Sequence, residues 1–363
     1  MNRNDIYVVY GSNPKEMAKK ILNEVQIEDL IGDRKKKIGI KPNLVVAKPA
    51  QEGATTHPEM VAGAIEYLKE KGYEDISVIE GSWVGDRTSA AFDICGYNDL
   101  KRKYGVKLVD TQKDSFSSYD CKGISINICD SAMEVDFMIN MPVLKGHCQT
   151  GVTCALKNNK GVITNQEKRK FHTMGLHKPI AHLNTVAKND FIMVDGICGD
   201  LNFEEGGNPV SMNRIIAATD PVLCDSYVCD LMGYSLDEVP YVKMAEKLGV
   251  GSSRTEDANV IEINEAKSAM SSTISGRKVQ GLAKFVEEVD ACSACYGSLI
   301  RALDRLDETG DSRNIKDKIC IGQGFKDKNG NLGIGICTSN FHKSLPGCPP
   351  RAIDIVGFLK HLK

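Results

Sequence analysis

Cys292 and Cys295 stand in a Cys-Ser-Ala-Cys motif, Cys337 follows after 41 residues (296–336), and Cys348 follows after ten more (338–347), in Pro-Gly-Cys-Pro-Pro-Arg. A two-residue spacing lets both thiolates of one turn face a single metal centre. Cys348 precedes Pro349 and Pro350, which places it at or just before a helix start, where helix amides favour the thiolate. Gly333, Gly335 and Gly347 let the backbone come close and offer amides to sulfide. The set reads as the ligands of one iron–sulfur cluster and hence as redox chemistry. A structural zinc site, which usually brings a second short cysteine pair, and no metal at all are the alternatives. Cys320, inside the apolar Ile319-Cys-Ile321, reads as a core residue that could substitute as a ligand. The chain has 13 cysteines in all, an odd number, and most are expected to be small buried hydrophobes.

A second constellation fills Met141–Gly161. A strand delivers Lys145 and His147 into a loop, Gln149–Leu156 is expected to open a helix whose first amides receive an anion, and Lys157 and Asn158 follow. Two lysines, a histidine and helix amides suit a carboxylate or phosphate; a solvated basic loop is the plainer reading. Lys157 follows Ala155-Leu156 in an apolar stretch, where lysine seldom goes without a partner. Lys145, His147 and Lys157 are thus the candidate catalytic residues, with His147 supplying a proton. Lys41, Asn43, His57, Asn158 and Asp225 are the candidates for binding substrate. Thr56 and Glu59 form a capping box on paper, and Asp220-Pro221 reads as a helix cap. Asp225 lies on an apolar helix face with Val228, Cys229 and Met232, and a site lysine is its expected partner. His172, His177 and His182 recur every five residues, which separates them on a helix and argues against one metal held by all three.

These residues need elements to hold them. Strand-like runs at Ile6–Tyr10, Ile38–Ile40, Ile76–Ile79, Val106–Val109, Ile124–Ile128, Phe137–Pro142, Ile192–Asp195 and Ile215–Ala218 alternate with helical patterns such as Lys15–Ile27 and Pro58–Lys71. That order implies an α/β domain with a mixed or mainly parallel sheet over residues 1–270. A second, smaller α/β domain over 271–363 is expected to bind the cluster, after the small polar stretch Ala266–Ser275. Polar strand ends (Lys41-Pro-Asn43, Glu80-Gly-Ser82, Lys145-Gly-His147, Asp195-Gly196) fall where ligands gather in such sheets. Gly206-Gly207-Asn208-Pro209 reads as a turn, not a phosphate loop.

The 363 residues carry 46 basic and 48 acidic side chains, a net charge of -2, with 6% aromatics and a single Trp. Such a balance offers neither the basic field nor the stacking surface that nucleic acid needs, nor a field for an anionic membrane. No apolar run approaches the roughly 18 residues of a membrane helix, and the N-terminus lacks a signal-peptide core. A cytoplasmic protein is expected.

The segment from Gly333-Ile-Gly-Ile-Cys337 through Pro346-Gly-Cys-Pro-Pro-Arg351 resembles the cluster-binding ends of hydrogenase small subunits and of the related complex I subunit. This likeness implies a 4Fe–4S cluster in an α/β setting, not respiratory function. The ordered pieces Lys41-Pro-Asn43, Thr56-His-Pro58, Glu80-Gly-Ser82, Lys145-Gly-His147, Thr150-Gly-Val-Thr153, Leu156-Lys-Asn158, Asp195-Gly196 and Asp220-Pro221 resemble the bacterial and archaeal family catalogued as domain of unknown function 362. Members often carry a ferredoxin module afterwards; the Cys-x2-Cys-x2-Cys-x3-Cys-Pro run of such a module is not in this sequence. A distant likeness to nickel-pincer lactate racemases carries no catalytic residue over. The expected function is that of an iron–sulfur oxidoreductase whose cluster exchanges electrons with a small anionic substrate or cofactor in the Lys/His pocket, with a redox partner protein on the other side. A non-redox isomerase or lyase with a structural or Lewis-acid cluster, and a simple electron carrier, are the competing functions.

Overall fold

A computed structural model describes residues 1–265 and 277–362. The expected boundary at 270/271 and the polar stretch Ala266–Ser275 lie outside the described residues. The main element is an eight-stranded sheet in the order Asn259–Glu262, Asp5–Tyr10, Pro209–Ala218, Phe191–Asp200, Phe137–Met141, Ile38–Pro42, Ile76–Glu80, Lys107–Asp110. Pro209–Ala218 is antiparallel to both its neighbours, and the other pairings are parallel. The mixed, mainly parallel α/β sheet expected from the strand–helix alternation is therefore the fold.

Period-2 alternation divides these strands between two cores. Val8, Ile192, Val194 and Ile216 face one layer, while Val9, Met193, Ile215, Ile38 and Ile40 face the other. Burial on both faces is why the central strands read as continuous apolar runs. Helices Pro14–Glu24 and Pro58–Glu70 cover one face; Pro221–Leu231 and Pro240–Lys247 cover the other. Asp220 caps Pro221–Leu231 as expected, its Oδ1 accepting from the Val222 and Leu223 amides at 2.9 and 3.0 Å. The Thr56–Glu59 capping box does not form. His57 is the residue before Pro58–Glu70, and the Thr56 hydroxyl instead donates to the Met141 carbonyl and accepts from the Asn43 amide.

Gln149–Leu156 is not one helix. Lys145–His147 and Gly151–Thr153 pair as an antiparallel hairpin, and only Ala155–Asn158 is helical. Gly151 sits at φ +73°, in the left-handed region that suits a turn and not a helix.

A second sheet is built from Val286–Glu288, Ile319–Ile321, Leu332–Ile334 and Lys343–Leu345, all parallel and in sequence order. Helices Ser293–Glu308 and Ala352–Lys360 pack on it through Leu299, Leu303, Ile355 and Leu359. Phe203, from the chain of the large sheet, is buried in this same core. Among the described residues no helix is long and apolar enough to cross a membrane.

Replacing Asp220 with Ala frees two buried amides at the helix start and is expected to cost about 1–2 kcal/mol. Urea unfolding should show this as a lower midpoint with an unchanged slope.

Candidate functional site

The carboxyl ends of the central strands gather buried polar groups. Lys41, expected to contact substrate, is fully buried behind the site and pairs with Glu80 at 2.7 Å. Glu80 also accepts from the Leu44 and Gly81 amides. Gly161 lies over this pair: a Cβ there would stand 2.2 Å from Glu80 Oε1 and 2.5 Å from Lys41 Nζ.

From Lys145 a chain of hydrogen bonds runs inward. Its Nζ donates to Asn43 Oδ1 (3.1 Å) and to the Ala54 and Glu204 carbonyls. Asn43 donates to Asn158, Asn158 to Asn140, Asn140 to Asn189 and Asn189 to Asn184, at 2.6–2.9 Å. Lys157 Nζ donates to Thr153 Oγ1 (3.2 Å) and Glu204 Oε2 (3.1 Å).

A cavity of about 80 Å³ opens among these groups, lined by Asn43, Lys145, Lys157 and Asn158, and also by Lys160, Lys168, His172, Glu80, Glu204 and Trp83. Cys292, Ser293 and Ala294, from the start of helix Ser293–Glu308, form part of the same lining. The two halves are held together nearby. Gln149 donates to the Ala291 carbonyl and accepts from the Ser293 hydroxyl, and Arg301 lies over the Phe203 ring and donates to the Gly206 carbonyl.

Burial sets the charge states. It pushes Lys145 down from the ordinary 10.5 to about 7. Lys160 also falls to about 7, through burial and then the neighbouring Lys157 charge, and Lys168 falls to about 8 through burial. Glu204 is held well below the usual carboxylate range: burial opposes this, but His147 and Lys157 beside it outweigh burial. Next to it Glu205 rises to about 7, by burial and by the Glu204 charge.

Three expectations need correcting. His147 does not line the cavity. Its Nδ1 accepts from the Gln149 and Thr150 amides, so the ring proton sits on Nε2, 2.7 Å from Glu204 but not aligned for a hydrogen bond. Burial lowers its pKa to about 4, so it is neutral at pH 7 and is not a proton donor poised near 6.5. His172 faces the cavity instead. Among the described residues Asp225 is paired with no lysine: its oxygens accept from the Ala155 and Leu156 amides at 2.7 and 3.2 Å. The acceptor at that helix start is thus the protein's own Asp225 side chain, whose pKa burial raises to about 7, in the core beside Cys154 and Cys224. His57 lies outside the cavity lining, its backbone amide and Nδ1 both on Asp195 at 2.7 and 2.8 Å.

Cys292, Cys295, Cys337 and Cys348 all sit on segments leaving the carboxyl ends of the small sheet. They lie close enough to act on one another's ionisation: burial first, then the other three thiols, push the Cys295 thiol up. Burial and the neighbouring thiols also raise Cys292, opposed by Arg169 and Lys160. Cys292, not Cys348, is the residue at a helix start. Helix Ala352–Lys360 begins after Arg351, and Cys348 is exposed on the loop before it. Cys320 is half-buried with its thiol toward Glu287.

Sequence reasoning passed over Glu204, Lys160, Lys168, His172 and Trp83 as site residues. Glu204 and the lone Trp follow strand ends, and Lys160 lies within the basic stretch already singled out. Lys168 and His172 belong to a helix, Asn165–Thr173, whose sequence gives no cue that it faces the site.

The arrangement is that of an α/β protein with a cation-lined cavity at the strand ends. The family model described as "Domain of unknown function (DUF362)" matches residues 38–230, more than half of the chain, and the chain belongs to that family. The thylakoid-associated protein sll1697 of Synechocystis sp. is 22% identical over 232 residues, 62% of this chain and 71% of that protein. The lactate racemase apoprotein from Thermoanaerobacterium thermosaccharolyticum superposes with a TM-score of 0.41 at 13% identity, over 59% of this chain. The match spans about half of that racemase, 54% of its length.

Two outcomes follow. Gly161→Ala forces the buried Lys41–Glu80 pair apart and is expected to lower stability by about 3 kcal/mol or more, read by thermal and urea unfolding. Lys145, Lys160 and Lys168 titrate near neutrality when folded but near about 10.4 when unfolded. From about pH 7 upward these three groups bind more protons in the unfolded chain, so their contribution to stability rises with pH. Between about pH 7 and 8, below the range where the buried thiols oppose this, the urea midpoint of Lys145→Met should rise less with pH than that of the unaltered protein.

Proposed function

We propose that this protein is an iron–sulfur redox protein that holds a small anionic substrate or organic cofactor in the lysine-lined cavity, beside the cluster cysteines. The observation that carries the proposal is that Cys292 lines the same cavity as Lys145, Lys157 and Lys160. Chemistry at the cysteines and charge recognition at the lysines thus share one space.

The spread of the four thiols argues against a single ion as the reading. Among the described residues, no three of the four sulfurs lie within 4.8 Å of one another, whereas a tetrahedral zinc thiolate has edges of about 3.8 Å. The amides of Ser293, Ala294 and Cys295 have no acceptor among the described residues. Gly335 and Gly347, at φ +95° and +145°, allow tight loops around Cys337 and Cys348. Cys292, Cys295, Cys337 and Cys348 would hold the group, which supplies one-electron chemistry when bound.

The chain's own residues do the rest. The lysines neutralise and orient the anion, Trp83 and Val84 exclude water from one wall, and the asparagine chain fixes Lys145 and Asn158 from behind. Exposed Cys348 marks the surface that a redox partner protein would approach.

Protein purified without oxygen is expected to contain about four iron and four sulfide per chain, with absorption near ~400 nm that dithionite bleaches. Cys292→Ala and Cys337→Ala should lose most of both, and Cys320→Ala should keep them. A colourless protein with stoichiometric zinc would overturn the proposal.

A further inference from the structure

Five lysines lie in or against the cavity, and four are already matched. Lys41 is held by Glu80, Lys157 by Glu204, Lys145 by Asn43 and two carbonyls, and Lys168 by the Gly81 and Ser82 carbonyls. Lys160 is the exception. It lines the cavity, on the turn Asn159–Val162. Among the described residues its Nζ has no hydrogen-bond or ion-pair partner. Its charged neighbours in order of influence are Lys157, Glu204, Lys168 and Cys292: the lysines, Lys157 foremost, repel a cation, and Glu204 and Cys292 favour one without bonding to it.

An amine left without a partner in a confined space is matched by an anion, whose charge would hold the proton on it. Three features narrow its class. The Glu80 and Glu204 carboxylates line the same cavity and would repel a second negative charge, which disfavours phosphate-like dianions. Val45, Trp83 and Val84 form an apolar wall, which suits a short carbon chain. The volume of about 80 Å³ lies well below the roughly 300–1,000 Å³ of pockets for larger ligands.

We infer that the cavity binds a short-chain monocarboxylate, anchored by a charge-assisted bond from Lys160 Nζ to the carboxylate, with the carbon chain against Trp83. This deepens the redox proposal by naming its substrate class, but the binding claim stands on the cavity alone.

Trp83 is the single tryptophan of the chain, so intrinsic fluorescence reports on this cavity. The full-length protein, as isolated without oxygen, would be titrated with acetate, propionate, butyrate and inorganic phosphate, followed by both fluorescence and calorimetry. The expected result is saturable binding of a monocarboxylate in preference to phosphate, weakened roughly tenfold or more in Lys160→Gln and largely restored in Lys160→Arg. Trp83→Phe should lose the optical signal and keep the heat. Phosphate binding as tightly as the carboxylates would overturn the class. Binding unchanged in Lys160→Gln would overturn the anchor, and no heat from any carboxylate would overturn both. Iron content, measured on the same samples, separates this from the redox proposal: carboxylate binding by a protein without iron sinks only the latter, and an intact cluster with no carboxylate binding sinks only the former.

Discussion

A line of buried carboxamides holds the strand ends of the large sheet in place. Asn43, Asn158, Asn140, Asn189 and Asn184 bond head to tail, and Asn159 joins at Asn184. Each amide away from water would cost a few kcal/mol if left unmatched. Asn43 comes from the end of one strand, Asn140 from the next, and Asn158 from the short helix after the hairpin. Displacing one segment therefore breaks bonds in several. Networks of this kind are stiff because partial satisfaction is worse than none. Lys145 enters at one end, which makes its position a property of the whole sheet edge and not of its own two-stranded hairpin.

The same rigidity explains how so many lysines can be brought together. A lysine taken from water loses its hydration, and it either finds a counter-charge or gives up its proton more easily. Lys41 and Lys157 find counter-charges in Glu80 and Glu204, although burial still draws the Lys41 pKa down. Lys145 and Lys168 take the second course, resting on carbonyls with their pKa values drawn down toward neutrality. Glu204 serves three groups at once: its carboxylate faces Lys157 and His147, and its carbonyl accepts from Lys145. The residue that arranges the cations is thus an acid placed past the end of the long strand Phe191–Asp200.

Much of the fold could be read from the chain. Apolar runs such as Ile38–Ile40 and Phe137–Pro142 mark strands buried on both faces, and their spacing leaves room for helices between them. Capping was legible where one residue settles it, as at Asp220, but not at Thr56, whose hydroxyl is used to tie Asn43 to Met141. Gln149–Leu156 misled because its polar and apolar residues suit a helix, while Gly151 and the pairing of Val152 with Gly146 decide for a hairpin. Lys145, Lys157, Asn43 and Asn158 lie in one stretch or at strand ends, and position alone pointed to them. The apolar helix face around Asp225 calls for a buried partner, but a periodic pattern does not say whether that partner is a lysine or a pair of amides. Glu204, His172 and Lys160 meet only through tertiary contacts at sequence separations that carry no local signal.

The cavity also depends on how the two sheets meet. Both present the carboxyl ends of parallel strands, the edges where loops are free to carry function, and both edges turn toward the same space. Neither supplies a full enclosure: the large sheet brings the cations and the Trp83 wall, and the small one brings Cys292, Ser293 and Ala294. Two fastenings set the distance between them. Phe203 is buried in the small sheet's core, under Arg301, and Gln149 at the hairpin tip holds Ala291 and Ser293. Glu204 follows Phe203 directly, and Cys292 lies between Ala291 and Ser293. The residues that clamp the sheets are therefore chain neighbours of the residues that line the cavity, so a shift at the joint would move Glu204 and Cys292 before it moved anything else.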